Sequence, residues 1–154
     1  MKAKLLKNLF IYYKKLDKYI FNIKILIYRP FRAKKVSSNK KNINYIYLSP
    51  ADNSPIGGIK VIYKHSELLS SMGYSSYVYH PQKPNFSCNW FEHKAKIKKD
   101  KYFDKEVDFV IVPEIWADLF CPLLIDLDIR FAIFVQNPYI LFQNHSTIRE
   151  NILD

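Results

Sequence analysis

The chain has 154 residues, 49% of them hydrophobic and 16% aromatic, with 24 Lys/Arg against 14 Asp/Glu for a net charge of +10. That length and apolar content suit one packed domain and exclude wholesale disorder. Cys88 and Cys121 stand 33 positions apart with no CxxC pair, which excludes a disulfide framework and a cysteine-rich zinc site and favours a reducing compartment.

The charge is unevenly placed. Residues 1–42 hold 13 Lys/Arg and one acid, Asp17, a balance of +12, whereas residues 43–154 hold 11 Lys/Arg and 13 acids, a balance of −2. Within residues 4–28, Leu5, Leu9, Tyr12, Leu16, Tyr19, Ile23 and Leu26 recur at steps of four and three, the spacing of one helical face, with lysines over much of the remainder. The pattern predicts a basic amphipathic helix over residues 1–29, stopped by Pro30. Such a helix packs on a following domain, lies on an anionic membrane surface, or contacts nucleic acid. The last is disfavoured, because the basic excess sits outside the domain and no nucleic-acid motif is present. No apolar run is long enough to span a bilayer, and the N-terminus lacks the apolar core and cleavage site of a secretory signal. A cytoplasmic location is expected, peripheral to the inner face of the membrane where residues 1–29 lie on the lipid surface rather than on the domain. Residues 30–42, charged and small, read as a linker.

From residue 43 the pattern alternates between strands and helices. Ile43 to Ser49 reads as a first strand closed by Pro50, and a loop rich in Pro, Asp, Asn and Ser follows, ending in Gly57 and Gly58. Val61, Ile62, His65, Leu68, Leu69 and Met72 mark the inner face of a helix that Gly73 ends in a left-handed conformation. Tyr74 to His80 reads as a second strand, with a weak strand through Trp90 to Ile97 and a lysine-rich turn at residues 98–101. Val107 to Val112 and Arg130 to Gln136 read as strands buried on both faces, with a short helix over Glu114 to Leu124 between them. The expectation is a Rossmann-like α/β domain over residues 43–154, a parallel sheet with helices on both faces.

Ligands in such sheets bind beyond the carboxyl ends of the strands. That rule selects Gly57 and Gly58, where absent side chains let an anion reach backbone N–H groups at a helix N-terminus, although a plain tight turn asks for the same residues. It also selects Glu114, Gln136 and Asn137 as cleft residues. Glu114 equally suits the first turn of a helix, where acids are favoured. His65 reads as a packed histidine on the helix's apolar face, His80 as a strand-end residue able to reach a cleft, and His93 and His145 as solvent-facing. No two histidines stand at metal-ligand spacing, so no metal is expected.

Taken together, IYLSPADNSPIGGIKVIYKHSELLSSMGYSSYVYH, VDFVIVPEIWADL and RFAIFVQNPYILF resemble the N-terminal domain of GT-B glycosyltransferases of the family 4 type, over residues 43 to about 145. The resemblance implies an acceptor-side domain facing a second domain that binds most of a nucleotide-sugar. Gly57 and Gly58 would then form a donor-phosphate loop, and Glu114, Gln136 and Asn137 the acceptor side of the cleft. Gln136 stands where many relatives carry a histidine, and Pro55 where glycogen-synthase-like members carry a lysine. No cofactor is implied beyond the nucleotide-sugar donor; a glycan or lipid-linked acceptor and a separately encoded C-terminal domain are the implied partners. The chain by itself is expected to be an incomplete enzyme without transfer activity, and the competing expectation is a non-catalytic membrane-surface or scaffold domain.

Overall fold

The computed structural model describes residues 16, 31–34 and 42–138. The chain divides into two compact units, Met1–Pro30 and Phe31–Asp154, and every element below belongs to the second. The basic helix expected over residues 1–29 lies outside the described residues apart from Leu16, as does His145.

Five strands form one parallel sheet: β2 (Asn44–Leu48), β3 (Ser75–Tyr79), β4 (Ile97–Lys98), β6 (Asp108–Pro113) and β7 (Arg130–Phe134), in spatial order β4-β3-β2-β6-β7. Two further strands, β1 (Arg32–Lys34) and β5 (Tyr102–Asp104), pair in parallel as a separate ribbon. Helix α1 (Gly57–Ser71) connects β2 to β3, while a 3-10 turn (Glu114–Trp116) leads into helix α2 (Ala117–Asp126) between β6 and β7. The α/β architecture with helices on both faces is therefore as the alternating pattern predicts.

Register assigns the faces, because side chains paired across parallel strands point to the same side. Tyr47 pairs with Val78 and Ile111, and this side receives α1: Ile59, Ile62 and Tyr63 pack with Tyr47 and Val78. The buried hydroxyls of Ser66 and Ser76 meet at 2.9 Å and fasten the helix to β3. The opposite side carries Leu48, Tyr79, Val110 and Val112, all fully buried. Over it lie α2 and the ribbon, joined through Phe31, whose ring centroid is 5.1 Å from Phe120, 5.2 Å from Phe103 and 6.0 Å from Tyr79. At the other end of the sheet, Asp108 accepts hydrogen bonds from Asn44 Nδ2 (2.8 Å) and the Asp104 N–H (2.9 Å), tying β2, β5 and β6 together where they begin.

Several expectations change. Residues read as linker contribute Phe31 to the core and Arg32–Lys34 to a strand, because Phe31 has an aromatic pocket that composition does not reveal. The strand expected through Trp90 to Ile97 shrinks to Ile97–Lys98, and Tyr102–Asp104 forms a strand that three residues among lysines do not announce. In β6 the buried positions alternate with half-buried Phe109 and Ile111. No residue of β7 is buried, because β7 is a sheet edge paired on one side only among the described residues. The face of α1 is also rotated: Tyr63 and Ser66 point inward, while Val61, His65, Leu68 and Met72 are exposed. Gly73 does adopt the left-handed conformation (φ +88°) that ends the helix, and the Met72 and Gly73 N–H groups bond the Leu68 and Ser70 carbonyls.

Candidate functional site

The strand order fixes where a ligand site belongs. From the central β2 the chain builds outward through β3 and β4, then returns to the other side of β2 with β6 and β7. The direction reverses between β2 and β6, and at such a reversal the connecting loops part and leave a crevice beyond the carboxyl ends of the strands. Three strand exits meet there. The loop after β2 leads to Gly57 and Gly58, β6 ends in Pro113 and is followed by Glu114, and β7 is followed by Gln136 and Asn137.

Four of the five site residues expected from the sequence form two hydrogen-bonded pairs, Glu114 with Asn137 and Gln136 with Gly58. Glu114 is 3% exposed, and its Oε1 accepts the Asn137 N–H at 3.0 Å, joining the exits of β6 and β7. Gln136 Nε2 donates to the Gly58 carbonyl at 3.2 Å and joins the exit of β7 to the first turn of α1. A Cβ on Gly58 would stand 2.9 Å from Gln136 Oε1, whereas one on Gly57 would meet nothing within 4 Å. The two glycines thus differ: Gly58 makes room for the Gln136 amide, and Gly57 borders open space. The first turn of α1 has no side-chain cap, since Ile56 at the N-cap offers none; the Ile59 N–H bonds the Ile56 carbonyl at 3.0 Å, which leaves the Gly57 and Gly58 N–H groups as the uncapped donors at the positive end of a 15-residue helix.

The loop entering α1 is held from the opposite flank. Asp52 Oδ1 accepts the Ser54 N–H at 2.7 Å, and this hydrogen bond holds the Asp52 carboxyl below the usual aspartate range. Asn53 Oδ1 accepts the Asn89 N–H (3.1 Å), and the Ala51 N–H donates to Gln82 Oε1 (3.4 Å). Beneath these contacts lies a buried chain. His80 Nδ1 is 2.9 Å from the Ser49 carbonyl, which only accepts, so Nδ1 carries the proton. Nε2 then accepts from Tyr63 Oη at 2.7 Å, and Tyr63 Oη accepts the Cys88 N–H at 3.1 Å. Burial pushes His80 down to about 4 and Tyr63 up to about 12, so both are neutral near pH 7 and the chain's direction is set.

The other histidines are elsewhere. His80 is fully buried as a brace behind the β2 exit. His65, expected in the core, is exposed, with its ring 5.0 Å from Phe134 and Nδ1 3.2 Å from Tyr47 Oη. His93, expected in solvent, is half-buried 4.5 Å from the Tyr63 ring, with Nε2 bonded to the Cys88 carbonyl at 3.0 Å. Both cysteines are buried and unpaired, and burial, aided by the Asp118 charge, pushes the Cys121 thiol up to about 12. Among the described residues no His, Cys, Asp or Glu cluster is placed to hold a metal ion, and no helix is long and apolar enough to cross a membrane.

Sequence reasoning did not find the His80–Tyr63 brace. The signal for the loop anchors was present in the Asp-Asn-Ser tract between two prolines, a composition whose side chains bond nearby backbone. In chemical terms, the crevice gathers a carboxylate, two carboxamides and an uncapped helix N-terminus, a set suited to holding an anionic or hydroxyl-rich ligand. No family model, curated protein or solved structure matches the chain.

Proposed function

We propose that residues 43–154 form the acceptor-side domain of a GT-B-type glycosyltransferase, which takes part in moving a sugar from a nucleotide-sugar to a glycan or lipid-linked acceptor. The observation that carries this reading is the meeting of Gly58, Glu114, Gln136 and Asn137 at the reversal of strand order. In this reading the uncapped turn at Gly57 and Gly58 faces the donor's diphosphate, and Glu114 acts through Asn137 by holding the β7 exit in place. Gln136, fixed on Gly58, presents its amide to the sugar side of the cleft. Stabilising charge between a sugar and a departing diphosphate takes preorganised groups on both sides of a cleft. A second, donor-binding domain supplies the other side in this reading, so the chain by itself binds weakly and transfers nothing.

The test is a titration of the chain with a nucleotide-sugar, followed through backbone amide resonances. Exposed helix N-termini contribute only about 0.3–1 kcal/mol per charge, so saturable shifts at Gly57, Gly58, Asn137 and Gln136 are expected in the millimolar range. Micromolar affinity, or turnover by the chain alone, would overturn the requirement for a second domain. Shifts that avoid these residues altogether would favour a non-catalytic scaffold.

A further inference from the structure

Away from the crevice, on the flank of α1 beside the approach to β4, lies an open groove of about 550 Å³ lined by Lys64, Glu67, Leu68, Ser70, Ser71, Lys94 and Lys96. Its volume falls within the range of small-ligand sites. The charges inside it do not cancel. Glu67 is committed: Oε2 accepts from Lys64 Nζ at 2.7 Å, and Oε1 accepts the Lys94 N–H. Those bonds hold the Glu67 carboxyl below the usual range although its burial opposes this. Lys64 and Glu67 therefore neutralise each other, and Lys94 and Lys96, both exposed and without a described ion pair, leave the groove at +2.

Two further features bear on what fits. A helix C-terminus ordinarily repels anions, but the carbonyls of Leu68, Leu69 and Ser70 in the last turn of α1 are engaged. Leu68 O accepts from Ser71 Oγ (2.7 Å) and the Met72 N–H (3.1 Å), Leu69 O from the Tyr74 N–H (3.0 Å), and Ser70 O from the Gly73 N–H (3.1 Å). Leu68, 56% exposed, and Met72 beside it add an apolar border to a cationic site.

We infer that this groove binds a phosphate-bearing ligand with a short apolar portion, the phosphate between Lys94 and Lys96 and the apolar part on Leu68 and Met72. Lysine holds phosphate as a mobile point charge. A phospholipid headgroup and a free organic phosphate share this chemistry. The inference is independent of the proposed transfer function, since it uses none of the crevice residues.

The experiment titrates the full chain with three soluble probes: dihexanoyl phosphatidylglycerol, dihexanoyl phosphatidylcholine and inorganic pyrophosphate. Amide resonances of Leu68, Ser70, Ser71, Lys94 and Lys96 report on the groove and are read separately from those of the basic residues 1–42. The two anionic probes should shift the groove resonances saturably and the zwitterionic one should not. Tighter binding of the phosphatidylglycerol identifies a lipid headgroup, whereas tighter binding of pyrophosphate shows a free phosphate held without the apolar contact and overturns that part of the inference. K94E/K96E should weaken binding by about tenfold or more, since each surface cation contributes a several-fold effect. The same charge change in K83E/K105E, outside the groove, should weaken it much less, and an unchanged circular dichroism spectrum shows that each variant folds. Groove resonances that stay still, or equal losses in the two double variants, would overturn the inference.

Discussion

Gly57 and Gly58 are neighbours with opposite expected responses to the same substitution. Gly57 has open space at its Cβ position, so Gly57→Ala removes unfolded-state entropy and should stabilise the protein by roughly 0.5–1 kcal/mol. Gly58→Ala puts a methyl 2.9 Å from Gln136 Oε1, and the long Gln136 side chain must yield. Little stability should change, because the lost Gln136–Gly58 hydrogen bond, worth about 0.5–1.5 kcal/mol, offsets the helical gain. The Gln136 side-chain amide resonances should move and the millimolar binding of a nucleotide-sugar should weaken. Thermal unfolding and one amide spectrum of each variant separate the two cases; a Gly58→Ala protein with unmoved Gln136 resonances would show the contact to be unimportant. His80 supplies a prediction in pH. Burial lowers it from 6.5 to about 4, so between those values the unfolded chain binds a proton that the folded chain refuses. Stability is then full above about pH 6.5 and declines as the pH falls toward 4, by up to a few kcal/mol at about 1.4 kcal/mol per pH interval. Melting temperatures of the native protein and His80→Gln across this window should converge at low pH, and parallel curves would rule out a buried neutral His80.

At the level of elements, Phe31 tests where the domain begins. Its ring sits among Tyr79, Phe103 and Phe120, so Phe31→Ala should cost about 3–5 kcal/mol in urea unfolding, the usual penalty for emptying a buried aromatic position. An unchanged midpoint would restore the reading of this segment as a linker. The four long sheet strands were legible in the sequence because each is an apolar, β-branched or aromatic run closed by a proline, glycine or polar residue. The ribbon was not, since three-residue strands flanked by lysines carry no periodicity and are held by Phe31 and Phe103 from elsewhere in the chain. Helix α1 was legible as a helix but not in its rotation: Tyr63 and Ser66 occupy the buried face because Ser76 and the His80 brace wait for them, and hydrophobicity alone favoured Val61 and Leu68. Of the crevice, the residues were readable from the rule about strand ends. Their pairing of Glu114 with Asn137 and Gln136 with Gly58 was not, because it depends on β6 and β7 lying side by side.

At the scale of the whole molecule, the order β4-β3-β2-β6-β7 places at the centre the earliest long strand among the described residues. Asn44 in β2 pairs with Ser75 on one side and with Asp108 on the other, the second partner lying 64 residues further along the chain. On a ribosome adding about 5–20 residues per second, β2 therefore spends on the order of 3–13 s without its second neighbour. Throughout that interval the tyrosine-rich segment NYIYL, which becomes the middle of the sheet, has one row of backbone donors and acceptors open to any extended polypeptide nearby. A domain whose finished form buries its centre well is thus most vulnerable at that same strand while it is being made.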